Sequence, residues 1–342
     1  MFIPMLSNVR RVLADPDVAI DLGTANTRLY ARGRGLVADE PSIVKLRPDT
    51  GLVEAVGARA ARKSVYGTAP GVVAPLRAGV VADVGAATAL LTPLLRRVRR
   101  FGMIKPRVLA CVPTDARENE RDAVIEATRR AGASSVALAP EPLAAAIGSG
   151  MDVSSEYARM LVDIGDGVTD IAVIRSGSLV TTAAIRTACS DLLRAVRRSV
   201  AQRHGVELYQ REAERLIRTV GAGSRKNSLF PYIVAGADCQ TGLLRRVPVS
   251  GQEVAEAINQ VIAKIIGFIG RTVRELPPEL ACEVIESGIS LTGGGACLRG
   301  VPDLIAAETS LAVYPARDPM RAVINGARQM LAVGAVTGLW NN

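Results

Sequence analysis

Asp21 lies inside the apolar run Val18 to Leu22, which breaks into Gly23, Thr24, Ala25 and Asn26 before apolar residues resume at Leu29. A strand that turns through small residues and returns as a strand is a β-hairpin. Its tip offers backbone N–H groups and hydroxyls at close range, which suits a phosphate. From the strand end, Asp21 could reach a magnesium ion through water. The same residues would also make an ordinary tight hairpin. A near-copy follows: Met160 to Ile164 carries Asp163, turns through Gly165, Asp166 and Gly167, and continues through Thr169, Asp170 and Ile171. Two hairpins of one design, each near the start of about half the chain, suggest a duplicated fold. In such a fold the two tips can face each other across a cleft and hold one ligand from both halves. Chance resemblance of two buried hairpins is the alternative.

A third tip, Gly293-Gly294-Gly295, follows an apolar run and precedes a helix-like stretch. Glycine lets backbone approach a flat group or a sugar, and a helix N-terminus favours anions. With two acid-bearing hairpins it supplies what a nucleotide needs. Hydrolysis of a nucleotide also needs a group that orients water, since phosphoryl transfer rests on positioning and charge neutralisation. Glu141, between Pro140 and Pro142 at the start of a helix-like stretch, could hold that water. Equally, it could be a helix-start acid that gains about 0.5 kcal/mol from the helix dipole.

Positioning these residues takes a scaffold of strands alternating with helices, an α/β architecture. The 342 residues suggest about two domains. The first is expected over 1–150, with an insertion at about 32–78 marked by many glycines and prolines. The second is expected over 151–319, with an insertion at about 187–251. A last helix, within 320–342, is expected to pack back on the first domain. Helices are read over 86–100, 116–131, 142–147, 190–203, 210–220, 252–275 and 302–308, and 322–339 at the end. Strands are read over 107–112, 135–138, 160–173, 179–185 and 288–291. The stretch 221–248 reads as turn-rich.

Lys and Arg number 42 against 33 Asp and Glu, a formal charge of +9. That balance favours anionic partners such as nucleic acid, acidic lipid headgroups or nucleotides. No basic patch interleaved with aromatics appears, and nucleic acid is not expected as a partner. The five cysteines are scattered and never in CxxC spacing, which argues for a reducing compartment and against a zinc site. The lone histidine, His204, precedes Gly205 and reads as the end of a helix. No apolar run approaches the ~18 residues of a membrane span, and no secretory cleavage pattern opens the chain. Met1 to Leu13, placed on a helix, collects Met5, Leu6, Val9, Val12 and Leu13 on one side beside arginines, the pattern of a helix lying in a membrane interface. A terminal segment packed on the body would read the same. The stretch Leu90 to Phe101 sets leucines beside four arginines. It is either a core-facing helix with arginines in water or a second membrane contact, where each arginine gains about 1 kcal/mol near anionic lipid.

The motifs IDLGTANT, PEPLAAAIG, DIGDGVTD and LTGGGACLRG, in this order and spacing, resemble the MreB/Mbl family of bacterial actin homologues. The resemblance runs from about Val18 to the last helix and points to a divergent, Mbl-like paralogue. It implies an actin-like ATPase fold closing on Mg2+ and ATP. It implies cytoplasmic, ATP-dependent filaments, double and antiparallel, on anionic lipid at the inner face of the cell membrane. Partners would be cell-wall synthesis membrane proteins, and the role cell shape or sporulation-linked wall assembly. Carried over by position, Asp21 and Asp163 are implied as metal-side acids acting through water. Gly23, Thr24, Ala25 and Asn26 form the first phosphate loop, and Gly165, Asp166 and Gly167 the second. Glu141 positions water, Glu214 faces the ribose, and Gly293 and Gly294 form the adenosine loop. The helix Asn119 to Arg130 matches one used between antiparallel protofilaments.

This chain departs from the family pattern in three places. GDGVT stands where GGGTT is usual, so Val168 replaces a threonine that helps orient water, and Asp170 could compensate. Ala188-Cys189-Ser190-Asp191 loses a glycine beside the nucleotide, and Ile217, with Arg218 next to it, replaces a lysine near the adenine. These changes leave open a filament subunit that binds nucleotide and hardly hydrolyses it. A small-molecule kinase of the same superfamily is a further alternative, although no stretch offers an obvious polar pocket for its substrate. A DnaK-type chaperone domain is another, with no stretch that reads as a peptide-binding domain.

Overall fold

The computed structural model describes residues 17–63, 71–223 and 231–333. The stretch Met1 to Leu13 and the end of the last helix lie outside them. The described chain forms two compact units. One holds the residues up to Ala61, Gly71–Gly150 and the residues from Arg321; the other is Met151–Met320.

Each unit is organised around one five-stranded sheet. In the first, the order is Ser135–Pro140, Arg107–Val112, Val18–Leu22, Asn26–Ala31, Gly35–Pro41. The first three strands are mutually parallel and the last two join antiparallel. The second unit repeats order and direction with Val313–Pro315, Ile289–Thr292, Arg159–Ile164, Thr169–Arg175 and Ser178–Ile185. Val18–Leu22 is buried along its whole length and Arg159–Ile164 from Met160 on, as an apolar run covered on both faces must be. Val18, Ile20, Val108 and Ala110 build the first core with Leu91, Leu94 and Leu95. Met160, Val162, Ile171 and Ile289 build the second with Val196, Ile258 and Ile262.

Local signals set the helices. Asp83 caps Val84–Arg97 by accepting from the Ala86 N–H at 2.9 Å, and Ser250 caps Gly251–Glu275 by accepting from Glu253 N–H at 3.1 Å. The helix Ala322–Val333 lies against Glu141–Ser149, and small residues let the backbones meet. A Cβ on Gly148 would overlap the Ala322 carbonyl, and one on Gly326 the Ala144 carbonyl. Arg32 donates to the Leu331 carbonyl, and Arg328 stacks over the Tyr30 ring at 5.9 Å.

The structure corrects several sequence expectations. The turn-rich stretch 221–248 contains the hairpin Tyr232–Asp238 and Leu244–Val249. Only Val234, Gly236, Val247 and Val249 are buried there, and the run of exposed Leu244, Arg245 and Arg246 with Pro248 hid the strand period. Pro277-Pro278 ends one helix and opens another, Pro278–Ser287, because proline fits a first helical turn. Short Val313–Pro315 also went unread. The leucine-arginine stretch is a helix only to Arg97; Leu90, Leu91, Leu94 and Leu95 are buried, and Arg96 and Arg97 are exposed. Among the described residues no helix is long and apolar enough to cross a membrane.

Candidate functional site

In the first unit the tip Gly23–Asn26 is tied from several sides. Gly23 N–H donates to Asn26 O at 3.1 Å, and Ser42 N–H donates to Ala25 O at 2.9 Å. Ser42 Oγ donates to Gly23 O at 2.6 Å and contacts Thr27 Oγ1 at 2.9 Å. Thr24 Oγ1 accepts from Gly79 N–H at 3.0 Å, which leaves its hydroxyl hydrogen as a donor. Thr24 and Asn26 are half-buried and Ala25 is exposed.

One residue back along the strands is a row of three side chains. Asp21 pairs in register with Arg28 on one side and Cys111 on the other. Arg28 Nη1 lies 3.0 Å from Asp21 Oδ2, and its Nε lies 3.2 Å from Asp39 Oδ1. Arg321 holds the other oxygen of Asp39 at 3.0 and 3.1 Å. Burial raises the Asp21 carboxyl above its ordinary value, and Arg28 works against that rise. The Cys111 thiol is pushed far up, first by burial and then by the charges of Asp21 and Glu141. The structure therefore brings Asp21 and Glu141 to one end of the sheet. Glu141 is the first residue of the helix Glu141–Ser149, directly after the strand Ser135–Pro140. The carboxyl ends of parallel strands are where such sheets receive ligands.

The second unit repeats the tip. Gly165 N–H donates to Val168 O at 3.0 Å, the counterpart of Gly23 to Asn26. The loop is sewn to the next helix by Cys189 N–H to Gly165 O at 3.1 Å and Ser190 N–H to Asp166 O at 2.9 Å. The Asp166 carboxyl is raised by burial first and by the Glu214 charge second, so these two expected site residues act on each other. Glu214 also accepts from Gln210 Nε2 at 2.8 Å. Gly293 sits at φ +80°, and a Cβ there would overlap Asp163 Oδ1 and Ile164 O. Its N–H donates to Pro319 O at 3.0 Å. Gly294, Gly295 and Ala296 lie in a 3-10 turn, Gly294–Cys297, ahead of the helix Val301–Thr309. The tip residues, Asp163, Glu214, Gly293 and Gly294 thus belong to one unit, and Asp21, Glu141 and the first tip to the other.

The row of Asp163 differs from that of Asp21. Its register partners are Asp170 and Thr292. All three are buried, and Thr292 Oγ1 has no hydrogen-bond partner among the described residues. Two carboxylates and an orphaned hydroxyl are an all-oxygen set that fits Mg2+, which binds one or two carboxylates and keeps waters or phosphates for the rest. At Asp21 the fit is poor, because one carboxylate oxygen already takes a guanidinium. Among the described residues no group of three or more His, Cys, Asp or Glu side chains could hold a metal alone.

The departures have physical addresses. The Val168 side chain is buried. Cys189 fills the space beside Gly294, with its sulfur 3.7 Å from where a Cβ would stand. Burial and the nearby Asp166 push its thiol up to about 12, so it stays protonated. Ile217 is buried and Arg218 is exposed. His204 does end its helix, and its Nε2 contacts Glu253 Oε2 at 3.0 Å. Sequence reading missed Arg28, Ser42, Gly79, Cys111 and Thr292. Counting strand partners outward from the Gly23–Asn26 tip would have found Arg28. The others come from distant segments.

Known proteins resemble this chain in sequence and fold. The family described as MreB/Mbl protein matches residues 15–336. The cell shape-determining protein Mbl of Bacillus subtilis is 36% identical over 322 residues, covering 92% of this chain and 95% of that protein. The cell shape-determining protein MreB of Escherichia coli is 35% identical over 336 residues, covering 96% of each. MreB5 of Spiroplasma citri, solved bound to AMPPNP, superposes with a TM-score of 0.85 at 28% identity, covering 94% of this chain and 97% of that one. A MamK double helical filament gives 0.74 at 19% identity over 92% of this chain and 98% of that one, a likeness of fold. With its two matching sheets, its acid-bearing hairpins and this span of similarity, the chain has the actin-like fold and belongs to the MreB/Mbl family.

Proposed function

We propose that this protein binds ATP and assembles into filaments at the inner face of the cell membrane, where they guide cell-wall synthesis and cell shape. The observation that carries the reading is the pair of locked tips, Gly23 to Asn26 and Gly165 to Val168, in a chain of this family. Relatives that are cell shape-determining proteins, and a structural relative solved with AMPPNP, support it. In this reading Gly23, Thr24, Ala25 and Asn26 and then Gly165, Asp166 and Gly167 meet phosphates. Asp163 stands on the Mg2+ side, Glu141 orients water, Glu214 faces the ribose, and Gly293 and Gly294 meet the adenosine. Mg2+ would supply charge neutralisation at the phosphates.

Membrane contact is supported by the loop after Val84–Arg97. Phe101 is 89% exposed and Met103 79% exposed, with Ile104 beside them. Arg96, Arg97, Arg99, Arg100 and Lys105 flank them. Exposed apolar tips ringed by cations suit anionic lipid, the apolar groups entering the interface and the cations pairing with headgroups. Electron microscopy on an anionic lipid monolayer with ATP tests the whole reading. Filaments that need both ATP and anionic lipid are expected; none under any nucleotide condition would overturn it. Phe101→Ser with Met103→Ser should weaken sedimentation with anionic vesicles while leaving ATP affinity intact.

A second reading, a filament subunit with little turnover, is favoured by the buried apolar Val168 and by Cys189 beside Gly294. Phosphate release measured during assembly separates the two. Under the first reading Glu141→Ala slows release and leaves ATP binding unchanged. Under the second, release is already negligible in the wild type.

A further inference from the structure

We propose that the Pro319–Arg321 turn couples the adenosine loop at Gly293 to the first phosphate tip, a role that rests on the nucleotide reading above. Arg321 is the positioning residue in it and reaches Asp21 through Asp39 and Arg28.

Asp21, Arg28 and Asp39 are register partners on three consecutive strands, Val18–Leu22, Asn26–Ala31 and Gly35–Pro41. The last of these is the edge of its sheet, and Arg321 closes the row from outside. Arg28 Nη1 lies 3.0 Å from Asp21 Oδ2, and its Nε lies 3.2 Å from Asp39 Oδ1. Arg321 Nε and Nη2 donate to Asp39 Oδ2 at 3.1 and 3.0 Å. Signs alternate along the row, and side-chain exposure falls from 47% at Arg321 through 28% and 10% to 7% at Asp21. A buried ion pair depends on its partners staying in place, so what moves Asp39 disturbs the pair beneath it. At the inner end Arg28 occupies Asp21 Oδ2, and Oδ1 lies 3.7 Å from where a Cβ on Gly23 would stand. Gly23 is the residue whose N–H closes the tip on Asn26 O.

The outer end leads to the other ligand loop. Two residues before Arg321, the Pro319 carbonyl accepts the Gly293 N–H at 3.0 Å. Pro319–Arg321 is a single 3-10 turn, which rises only about 2 Å per residue, and the proline ring fixes φ at its start. Directly after the turn, Ala322 is buried, and a Cβ on Gly148 would overlap its carbonyl. A segment this short, held at both ends, passes a shift of Gly293 on to the Arg321 guanidinium. The chain leaves its second unit at Met320 and re-enters its first at Arg321. The turn is thus the place where the loop of one unit is joined covalently to the row behind the tip of the other.

Hydrogen exchange on the full chain, read by mass spectrometry with and without adenosine, tests this. Adenosine carries no phosphate, so it has nothing of its own to offer the first tip. In the wild type it should slow exchange at Gly293 and Gly294 and also at the Gly23–Asn26 tip. Arg321→Gln, Asp39→Asn and Pro319→Gly should keep the first protection and lose the second. Pro319→Gly retains the carbonyl that meets Gly293 and frees the backbone around it. Arg321→Lys should keep both protections, because the two Arg321 nitrogens meet a single oxygen that a point charge can also serve. Protection of the first tip that is absent in the wild type, or that survives in Arg321→Gln, overturns the proposal. Where Pro319→Gly does not fold, Arg321→Gln decides. A second readout needs no ligand. Arg321→Gln should speed exchange at the Gly23–Asn26 tip about fivefold, the low end of coupling between sites, and leave the tip at Gly165 at its wild-type rate. A general loss of stability would speed both alike, and an equal change or no change overturns the proposal. Where adenosine does not protect Gly293, this ligand-free comparison decides the role of Arg321. Where ATP does not protect it either, the nucleotide reading fails separately.

Discussion

At the row of Asp21 the neighbouring strands contribute Arg28 and Cys111; at the row of Asp163 they contribute Asp170 and Thr292. The strands that carry these rows have the same order and the same directions, and each tip closes with the same backbone hydrogen bond. A repeated backbone has therefore been given two sets of side chains. The first row holds an ion pair beside a thiol. The second sets two acids beside a threonine. The lesson is that a duplicated scaffold fixes where a side chain stands and leaves open what it does there.

The strongest way to break this comparison is at Arg28. Arg28→Leu leaves a buried carboxylate uncompensated and should cost about 3–5 kcal/mol in urea unfolding. Adding Asp21→Asn should recover most of that loss, because a neutral pair is cheap to bury. If Arg28→Leu alone costs no more than a surface substitution, the two rows are not electrostatically distinct.

Next in size is Gly293. It sits in left-handed backbone, and a Cβ there would overlap Asp163 Oδ1, so Gly293→Ala should cost about 2 kcal/mol in the same assay. Gly165→Ala meets only Val168 O at 3.0 Å, and Gly23→Ala meets Asn26 O at 2.8 Å. Both should cost about 1 kcal/mol, Gly23→Ala the more because its contact with backbone is the tighter. A large gap between them would show that the tips are less alike than their hydrogen bonds suggest.

A smaller effect sharpens the second tip. Burial and Glu214 raise the Asp166 carboxyl above 3.8, so the native state holds a proton that the unfolded chain has released. The stability this contributes is full below pH 3.8 and is lost as pH rises through the folded value. Asp166→Asn should therefore melt higher than the wild type at neutral pH, and the two should converge in acid. The smallest effect belongs to Asp238, at the end of the strand Tyr232–Asp238. Backbone N–H groups of Thr241 and Gln240 and the Arg245 guanidinium lower its carboxyl to about 2. Its contribution is present above 3.8 and disappears as pH falls through about 2. Asp238→Asn should melt slightly below the wild type at neutral pH and match it in strong acid.

Both hairpins, most helices and the alternation of strand and helix were legible in the sequence, because apolar runs and small-residue turns are local signals. Arg107–Val112 and Gln210–Val220 fall where the sequence put them. The hairpin Tyr232–Asp238 with Leu244–Val249 was not legible, since Leu244, Arg245 and Arg246 are exposed in succession and Pro248 follows. The acids could be named from sequence, but their partners could not. Cys111 and Thr292 reach the rows through parallel pairing, and Ser42 and Gly79 reach the first tip from later segments. Nothing local in a sequence states which distant strand will lie alongside.

The contact between Glu141–Ser149 and Ala322–Val333 has a consequence for synthesis. Gly148 and Gly326 touch only because the chain returns to its first unit after Met151–Met320 has been made. At roughly 5–20 residues per second, the ribosome spends about eight to thirty-four seconds on that intervening stretch. For that whole interval the small-residue flank around Ala144 waits for its cover. The portion begun first is thus completed last, and a nascent-chain chaperone would find its most persistent target there.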